Sequence, residues 1–286
     1  MREDARRSIN TVIAAMRDDP GNKFTIDELA RIAMFSKFHF SRIFQDATGT
    51  SPGRFLAAVR LAEAKRLLLA TSLSVADISV QVGYASVGTF STRFKFSVGV
   101  APSAFRNSGG FRPRDAGEGR RVGGLGTVWG EVTSADETAC DPVFVGLFPD
   151  VVPEGVPVRG AVLRRPGPFR LDRVPSGTWY LLAHCPFRPS VPPTHRDPSA
   201  VPGALVAAQG PLAIRTGSES EGRNLRLRSP RPSDLPILLA PVCPVAIGSP
   251  SAPAVSTTAP EAADPPRHPH RRPVYRRRSI AESTPS

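Results

Sequence analysis

The sequence predicts a multi-domain chain in which helices come first and strands second. An all-α double helix-turn-helix domain (1–108) precedes an antiparallel β-sandwich (125–243) and a disordered basic tail (244–286). Three observations predict this fold class. Apolar residues recur at helical spacing up to about residue 107, and within this region the same succession of helices occurs twice. Short runs of period two lie between Gly/Pro turns after residue 125. The last segment holds too little apolar surface to offset its conformational entropy.

Charge and proline content divide the chain in the same way. Most of the 31 prolines lie after residue 142, and the net charge of +12 is concentrated in residues 1–108 and 265–286. A positive field over the first domain favours a polyanionic partner. The first residues lack the apolar core of a signal peptide, and no apolar run has the length of a membrane span. We therefore expect a cytoplasmic protein.

Cysteines and catalytic motifs point to no chemistry. Cys140, Cys185 and Cys243 match neither a zinc spacing nor a disulfide framework, so we expect reduced thiols. For Cys185 we expect a small buried side chain, with a redox sensor as the alternative. In the strand-rich second region GxSxG and HExxH motifs do not occur, and the carboxylates are scattered. The sequence predicts no enzyme, no cofactor and no metal site.

The first domain begins with two short capped helices after an amphipathic one. The apolar stripe of the first helix consists of Ile9, Val12, Ile13 and Met16. Thr25 and Glu28 have the spacing of a capping box and begin the second helix. A tight connection at Met34 and Phe35 leads to the third helix. Two short helices joined this closely are typical of a helix-turn-helix.

The third helix, residues 36–48, has one buried and one outward face. We expect Ser36 to cap it. Its buried stripe consists of Phe40, Ile43, Phe44 and Ala47. The opposite face combines two cations, two hydrogen-bonding side chains and an aromatic ring: Lys37, Phe38, Ser41, Arg42 and Gln45. Such a face suits the phosphates and base edges of DNA.

The order of residues 25–52 is then repeated by residues 74–102. A long helix at 52–70 lies between the two copies, and we expect its cations Arg60, Lys65 and Arg66 at the surface. The second copy restates a capped short helix, a tight turn, a capped helix, a glycine, a small residue and a proline. Ser74 and Asp77 again have capping-box spacing. The chain therefore contains two helix-turn-helix units.

These residues resemble the DNA-binding domain of the AraC/XylS family of bacterial transcription regulators. The resemblance covers roughly residues 5–107 and rests on FTIDELARIAMFSKFHFSRIFQDATGTSPGRFLAAVRLAEAKRLLL followed by LSVADISVQVGYASVGTFSTRFKFSVGVAPSAFR. It implies that recognition helices at about 36–48 and 86–98 enter successive major-groove faces about 34 Å apart, held by the 52–70 helix. One subunit can then read an asymmetric site.

The resemblance also implies roles for individual residues. In the first unit it places three side chains near bases, Phe38, Ser41 and Arg42, and two near phosphates, Lys37 and Gln45. In the second unit the matching positions are Val87, Gly88, Ser91 and Thr92, with Lys95 toward the backbone.

The second recognition helix departs from the family pattern. It carries Thr92 where the family usually has an arginine, and Arg93 where the family usually has a small buried residue. Val87 and Gly88 offer no side-chain hydrogen bonds. We therefore expect less base discrimination and more backbone or thymine-methyl contact from this unit. Arg93 is expected to extend outward and to replace part of the missing guanidinium.

A Gly/Arg-rich linker at 109–124 leads to the second domain. Its seven strand-like runs are 127–132, 143–148, 159–163, 169–171, 178–183, 212–215 and 224–227. This spacing predicts an antiparallel sandwich. Within it, GPFRLDRVPSGTWYLLAHCPF resembles the strand–loop–strand of transthyretin-like or carboxypeptidase-regulatory-like domains, which implies a binding or scaffolding module.

Several features of this domain bear on its partner. We assign Trp179 and Tyr180 to the core and its rim, with a ligand cage as the alternative. Residues 186–203 are expected to form a variable surface loop. A closed, dry core would favour a protein partner, whereas an apolar cleft would favour a small effector.

The function expected from the sequence is sequence-specific regulation of transcription in the bacterial cytoplasm, with nucleoid association when DNA is bound. The expected partner is double-stranded promoter DNA. RNA polymerase is a further candidate, as is a small effector or a second copy of the chain at the sandwich; no membrane partner is expected. The alternative is a protein–protein interaction or scaffolding module with only non-specific DNA affinity, to which the arginines of the tail would add.

Overall fold

A computed structural model describes residues 3–111, 126–135, 142–185, 204–217, 219–220 and 224–240. The helices are α1 (Glu3–Asp18), α2 (Ile26–Ile32), α3 (Lys37–Thr48), α4 (Pro52–Ala70), α5 (Val75–Gln81), α6 (Val87–Val98) and α7 (Pro102–Asn107). The strands are β1 (Gly126–Thr133), β2 (Val143–Phe148), β3 (Arg159–Leu163), β4 (Gly167–Val174), β5 (Gly177–Cys185), β6 (Leu205–Ile214), β7 (Glu219–Ser220) and β8 (Leu225–Arg226). Most of the predicted linker, the predicted loop and the predicted tail lie outside the described residues, as do Cys140 and Cys243.

Both predicted capping boxes are confirmed. The Glu28 amide donates to the Thr25 hydroxyl at 3.2 Å, and the Thr25 amide donates to the Glu28 carboxylate at 2.7 Å. The hydrogen bond from the Thr25 amide, followed by that from its hydroxyl, lowers the pKa of Glu28. Ser74 and Asp77 make the same reciprocal bonds at the start of α5. The two units therefore begin with the same local chemistry.

Each helix-turn-helix unit has its own aromatic core. The first core contains an edge-to-face series with ring centroids 5.5 and 5.4 Å apart, formed by Phe40, Phe44 and Phe55. The second contains the corresponding three rings, Phe90, Phe94 and Phe105, with centroids 5.6 Å apart in a tilted pair and an edge-to-face pair. Helix α4 joins the two cores because its first half packs on one cluster and its second half on the other. The periodicity and length of α4 therefore set the position of one helix-turn-helix unit relative to the other.

The two units also touch directly at Arg60. Its Nε donates to the carbonyl of Pro20 at 2.8 Å and its Nη2 to the carbonyl of Asn22 at 2.9 Å. A Cβ placed on Gly21 would lie 2.5 Å from the carbonyl oxygen of Gln81, so the turn after α1 packs against the end of α5. Burial lowers the pKa of Arg60. Arg60, predicted at the surface, is half-buried instead, because its guanidinium supplies the donors that two turn carbonyls require.

The β region consists of two sheets. One has the order β3-β2-β5-β6 and is antiparallel; in the other, β1 lies between β4 and β7 and also pairs with β8. The β1–β4 pair is antiparallel, but β7 and β8 run parallel to β1. The prediction of a purely antiparallel arrangement is wrong for this second sheet, because two-residue pieces of the chain after β6 pair with β1 in its own direction.

Both sheets contribute to one apolar cluster. Val128 and Leu171 come from the mixed sheet, and Val145 and Leu181 come from the antiparallel sheet. Cys185 is buried in the same cluster, as predicted. Strand β6 begins at Leu205, earlier than predicted. Its first residues are alanine-rich and show little alternation of apolar and polar side chains, so the sequence did not indicate this start.

The closing segment, residues 229–240, returns from the strands to the helices. Leu238 is fully buried in the core of the second unit, and Leu235 packs against the cores of both units. The Ala240 amide donates to the carbonyl of Val98 at the end of α6, at 3.1 Å. Helices and strands accordingly belong to one compact unit, Met1–Pro244.

Lys65 ties the closing segment to α4. Its Nζ donates to the carbonyls of Ile237 and Leu239 at 3.0 and 3.1 Å and lies 5.7 Å from the Phe105 ring centroid. Burial lowers the pKa of Lys65 to about 8. Burial, together with the charge of Lys65, lowers the pKa of His184 on β5 to about 4. The surface position predicted for Lys65 is wrong, because the closing segment covers its ammonium group.

Leu238→Ala is expected to lower the free energy of unfolding by about 2–5 kcal/mol, because it removes a fully buried side chain from the helical core. Leu69→Ala on α4, where the side chain is 52% exposed, is the control and should change stability by less than about 0.5 kcal/mol. Urea denaturation followed by circular dichroism measures both. Equal effects would mean that the closing segment does not complete the core.

Stability is expected to rise with pH between about 8 and 10.5 because of Lys65. The unfolded chain keeps this proton up to the ordinary pKa of 10.5, whereas the folded chain releases it above about 8, so the unfolded chain binds more protons in this window. The neutral amine still has two N–H groups for its two carbonyl partners. Urea denaturation at pH values below and within the window should show this gain in the wild type and its loss in Lys65→Met. The same pH dependence in both proteins would contradict it.

Candidate nucleic-acid interface

The outward face of α3 is exposed. Phe38 is 81% exposed, and Lys37, Arg42 and Gln45 are also exposed. The Nζ of Lys37 lies 3.9 Å from Asp27 and 5.8 Å from the centroid of the Phe38 ring. An ion pair this long and this exposed holds the lysine only weakly. These side chains are therefore available to a ligand that approaches α3.

Ser41 and Arg42 differ in the hydrogen bonds that their side chains already make. The Ser41 hydroxyl donates to the Lys37 carbonyl at 2.8 Å, which leaves its oxygen as an acceptor. Among the described residues, nothing forms a hydrogen bond or ion pair with the Arg42 side chain. An exposed guanidinium without a partner can donate to guanine or to phosphate. Ser36 occupies the predicted N-cap position of α3, but its side chain makes no capping hydrogen bond.

Helix α6 offers a less polar surface. The predicted contact residues lie on its exposed or half-buried side: Val87, Gly88, Ser91, Thr92 and Lys95. A Cβ on Gly88 would meet nothing within 4 Å. Phe96 is 62% exposed and lines a shallow groove of about 640 Å³ with Thr92 and Gly88. Sequence reasoning missed Phe96; an aromatic ring where α3 has Asp46 was the signal that could have identified it.

Arg93 is held by the β region. Its Nη2 lies 2.8 Å from the carboxylate of Glu154, whose side chain is only 12% exposed, and its guanidinium lies 5.6 Å from the Phe96 ring centroid. Its counterpart in α3 is Ile43, which packs on the first core. An outward reach of Arg93 to DNA would therefore have to break this ion pair, at the cost of leaving a buried carboxylate unpaired.

The turns of both units use left-handed backbone. Met34 has φ 58° and Gly83 has φ 83°, and each amide donates to the carbonyl three residues earlier. Their surroundings differ. Met34 is 89% exposed, whereas a Cβ on Gly83 would lie 2.8 Å from the Gly21 carbonyl and 2.9 Å from the Arg60 guanidinium. Only the second turn therefore requires glycine for space as well as for conformation.

Comparison with known proteins identifies the helical domain. A family model described as a helix-turn-helix domain matches residues 29–108. An uncharacterized HTH-type transcriptional regulator of Haemophilus influenzae is 41% identical over 102 residues, which are 36% of this chain and 34% of that protein. The probable transcription factor PqrA of Proteus vulgaris is 36% identical over 84 residues, which are 29% of this chain and 69% of PqrA. The chain belongs to the AraC-type helix-turn-helix family.

The AraC-type family model covers helices and not strands. The chain spans about a third of the length of the Haemophilus influenzae relative, 34%. The DNA-binding domain of the transcriptional factor AdpA, solved in complex with a target DNA, is 28% identical, covers 35% of this chain and 90% of that chain, and superposes with a TM-score of 0.34. Across the described residues, no helix could span a membrane and no group of three or more His, Cys, Asp or Glu could hold a metal ion.

The two turns of the AraC-type domain provide a matched test of backbone strain. Gly83→Ala is expected to lower the free energy of unfolding by more than about 1 kcal/mol, because the new Cβ meets a carbonyl at φ 83°. Met34→Ala should change it by less than about 0.5 kcal/mol, because an L-residue already holds that conformation in open surroundings. Thermal and urea denaturation measure both variants. An unchanged free energy of unfolding for Gly83→Ala would show that the contact between the two units adjusts to the added Cβ.

Proposed function

We propose that the chain is a bacterial transcription regulator that binds a specific promoter sequence in double-stranded DNA. The observation that carries the proposal is the placement of two equivalent helix-turn-helix units on one shared helix, of which the first exposes an uncommitted Arg42. The names of the relatives, a transcriptional regulator and a probable transcription factor, support it.

In this proposal α3 and α6 lie in successive major-groove faces, about 34 Å apart along the DNA. The first unit reads bases through Phe38, Ser41 and Arg42, while Lys37 and Gln45 contact phosphates. The second unit contributes backbone and thymine-methyl contacts through Val87, Gly88, Ser91, Thr92 and Lys95. Its Arg93 joins them only when Glu154 releases it. Base discrimination therefore depends mainly on α3.

The same proposal divides the chain into a DNA-binding domain at 1–108, a linker at 109–124, a sandwich at 125–243 and a tail at 244–286. The sandwich is of the transthyretin-like or carboxypeptidase-regulatory-like type and serves sensing or self-association. A core shared by both sheets supports it. RNA polymerase is the candidate partner at the promoter, and the protein acts in the cytoplasm at the nucleoid.

Selection of random double-stranded DNA by the purified full chain tests this function. The proposal expects an enriched motif of two half-sites about one helical turn apart. The alternative, an interaction or scaffolding module, expects no enriched motif and binding that fades with salt alike for all sequences. A motif confined to one half-site would mean that α6 only positions the protein.

Arg42→Ala is expected to weaken binding to the selected site by about 1–3 kcal/mol, because it removes the exposed guanidinium of α3. Fluorescence anisotropy with the selected duplex at fixed salt measures the loss. Arg7→Ala removes an exposed arginine of α1 whose side chain is 73% exposed, and it serves as the charge-matched control. Equal losses of affinity in the two variants would mean that Arg42 contributes only non-specific electrostatic attraction to DNA.

A further inference from the structure

The loop between β2 and β3 contacts the first helix-turn-helix unit where its recognition helix ends. This bridging loop consists of residues 149–158. Val151 lies against the residue that follows α3, since a Cβ on Gly49 would be 3.3 Å from Val151 Cγ2. Asp150 pairs with Arg54 in the first turn of α4 at 3.0 Å. The loop is therefore attached to the junction between α3 and α4.

Three residues further along, the bridging loop contacts the second unit. Glu154, whose side chain is only 12% exposed, pairs with Arg93 of α6 at 2.8 Å. The Gly155 amide donates to the carbonyl of Ser97, also at 2.8 Å. The last carbonyls of a helix have no partner within it, so this hydrogen bond satisfies one of the free acceptors of α6. One loop thus connects the ends of both recognition helices.

Gly155 permits the close approach of the loop to α6. Its backbone is left-handed, with φ 73°, and a Cβ on it would lie 2.9 Å from the carbonyl oxygen of Phe96. A larger residue would therefore push the loop away from the helix. Gly217 has nearly the same φ, 74°, but a Cβ there would meet nothing within 4 Å. The two glycines separate the effect of the contact from the effect of backbone conformation.

The bridging loop is short and stiff. Three of its residues are prolines, each of which fixes its own φ. Val152 is only 2% exposed, so the middle of the loop is anchored by packing. The chain from Val151 to Gly155 spans at most about 14 Å. The end of α3 therefore cannot move far from the end of α6 while both contacts of the loop persist.

Other contacts join the two units at different places. Arg60 binds the turn after α1, and Leu235 packs against the cores of both units. These contacts involve turns and cores, whereas the bridging loop acts on the ends of the helices that would enter DNA. Attachment at a second, separate place prevents a rotation that attachment at one place allows.

We propose that the bridging loop fixes the separation and relative angle of α3 and α6, so that the protein accepts only one spacing between its two half-sites in DNA. Glu154 and Gly155 are then positioning residues, which act through Arg93 and the end of α6. This role rests on the proposed function, because half-sites exist only if both helices bind DNA.

Half-site spacing is sensitive to helix geometry. One additional base pair moves the second half-site by about 3.4 Å along the DNA and turns it by about 35°. Two helices held in a fixed arrangement then lose contacts in one half-site, whereas a loosened pair recovers part of them by moving. Loosening also lowers affinity at the preferred spacing, because the helices are no longer held in the bound arrangement.

Fluorescence anisotropy with the full chain tests this role on duplexes of equal length. They carry the selected site at its preferred spacing, or with one base pair added or removed between the half-sites. For the wild type the dissociation constant should rise by about tenfold or more at the altered spacings, as for the loss of a base contact. For Gly155→Ala the rise should be at most about threefold, because the new Cβ displaces the loop. Gly217→Ala, the control for backbone strain, should behave as the wild type.

Glu154→Gln is the second variant, because it weakens the ion pair without adding volume. It should also reduce the preference for one spacing, though by less than Gly155→Ala. Asp172→Asn removes the same charge from a carboxylate that pairs with Arg170 of its own strand, and it should keep the full preference. Each comparison is a ratio between duplexes of equal charge, so a change in net charge cancels. Near-ultraviolet circular dichroism checks the fold of every variant, and Glu154→Gln decides if Gly155→Ala does not fold.

A full spacing preference in the folded loop variants, at whatever overall affinity, would overturn the role of the loop and leave the proposed function intact. The same conclusion would follow from a wild type that binds all three spacings equally, from a selected motif with one half-site, or from an equal loss of preference in the controls. Absence of any sequence-specific binding by the wild type would overturn the proposed function and, with it, this role of the loop.

Discussion

Burial of the closing segment against the helices is the interaction on which the arrangement of this protein depends. Leu238 fills the core of the second helix-turn-helix unit, Leu235 touches both cores, and Lys65 binds two carbonyls of the same segment. These contacts hold the helices against the sheets together with a second link, the loop between β2 and β3, whose Asp150 and Glu154 pair with Arg54 and Arg93. A short stretch after the last strand thus converts two kinds of domain into one compact unit.

Local chemistry explains what the sequence predicted well. The starts of α2 and α5 follow from capping boxes, and α4 follows from the proline at its first turn and an apolar pattern that needs no distant partner. The errors concern contacts made across the chain. Arg60 and Lys65 look like solvated cations until carbonyls from remote segments are placed beside them, and the parallel pairs of β1 depend on where β7 and β8 return.

In the candidate interface, too, local features follow from the sequence and contacts between remote segments do not. Exposure of Phe38, Arg42 and Gln45 follows from helical periodicity, because the opposite stripe of α3 is fully occupied by its own core. The ion pair of Arg93 does not follow from it, because Glu154 lies far away in sequence. The two recognition helices therefore differ in more than composition. Arg42 is exposed to solvent, while Arg93 forms an ion pair with Glu154 of the β region.

The position of Leu238 in the chain has a consequence for biosynthesis. The ribosome releases both recognition helices long before the residues that complete their core. Domains of growing chains usually fold as units from the N-terminus. Here the helical domain emerges with an apolar gap between α4, α6 and α7 that persists until translation has passed all the strands. The core of the second helix-turn-helix unit is thus completed only after the segment that follows the β strands has been made.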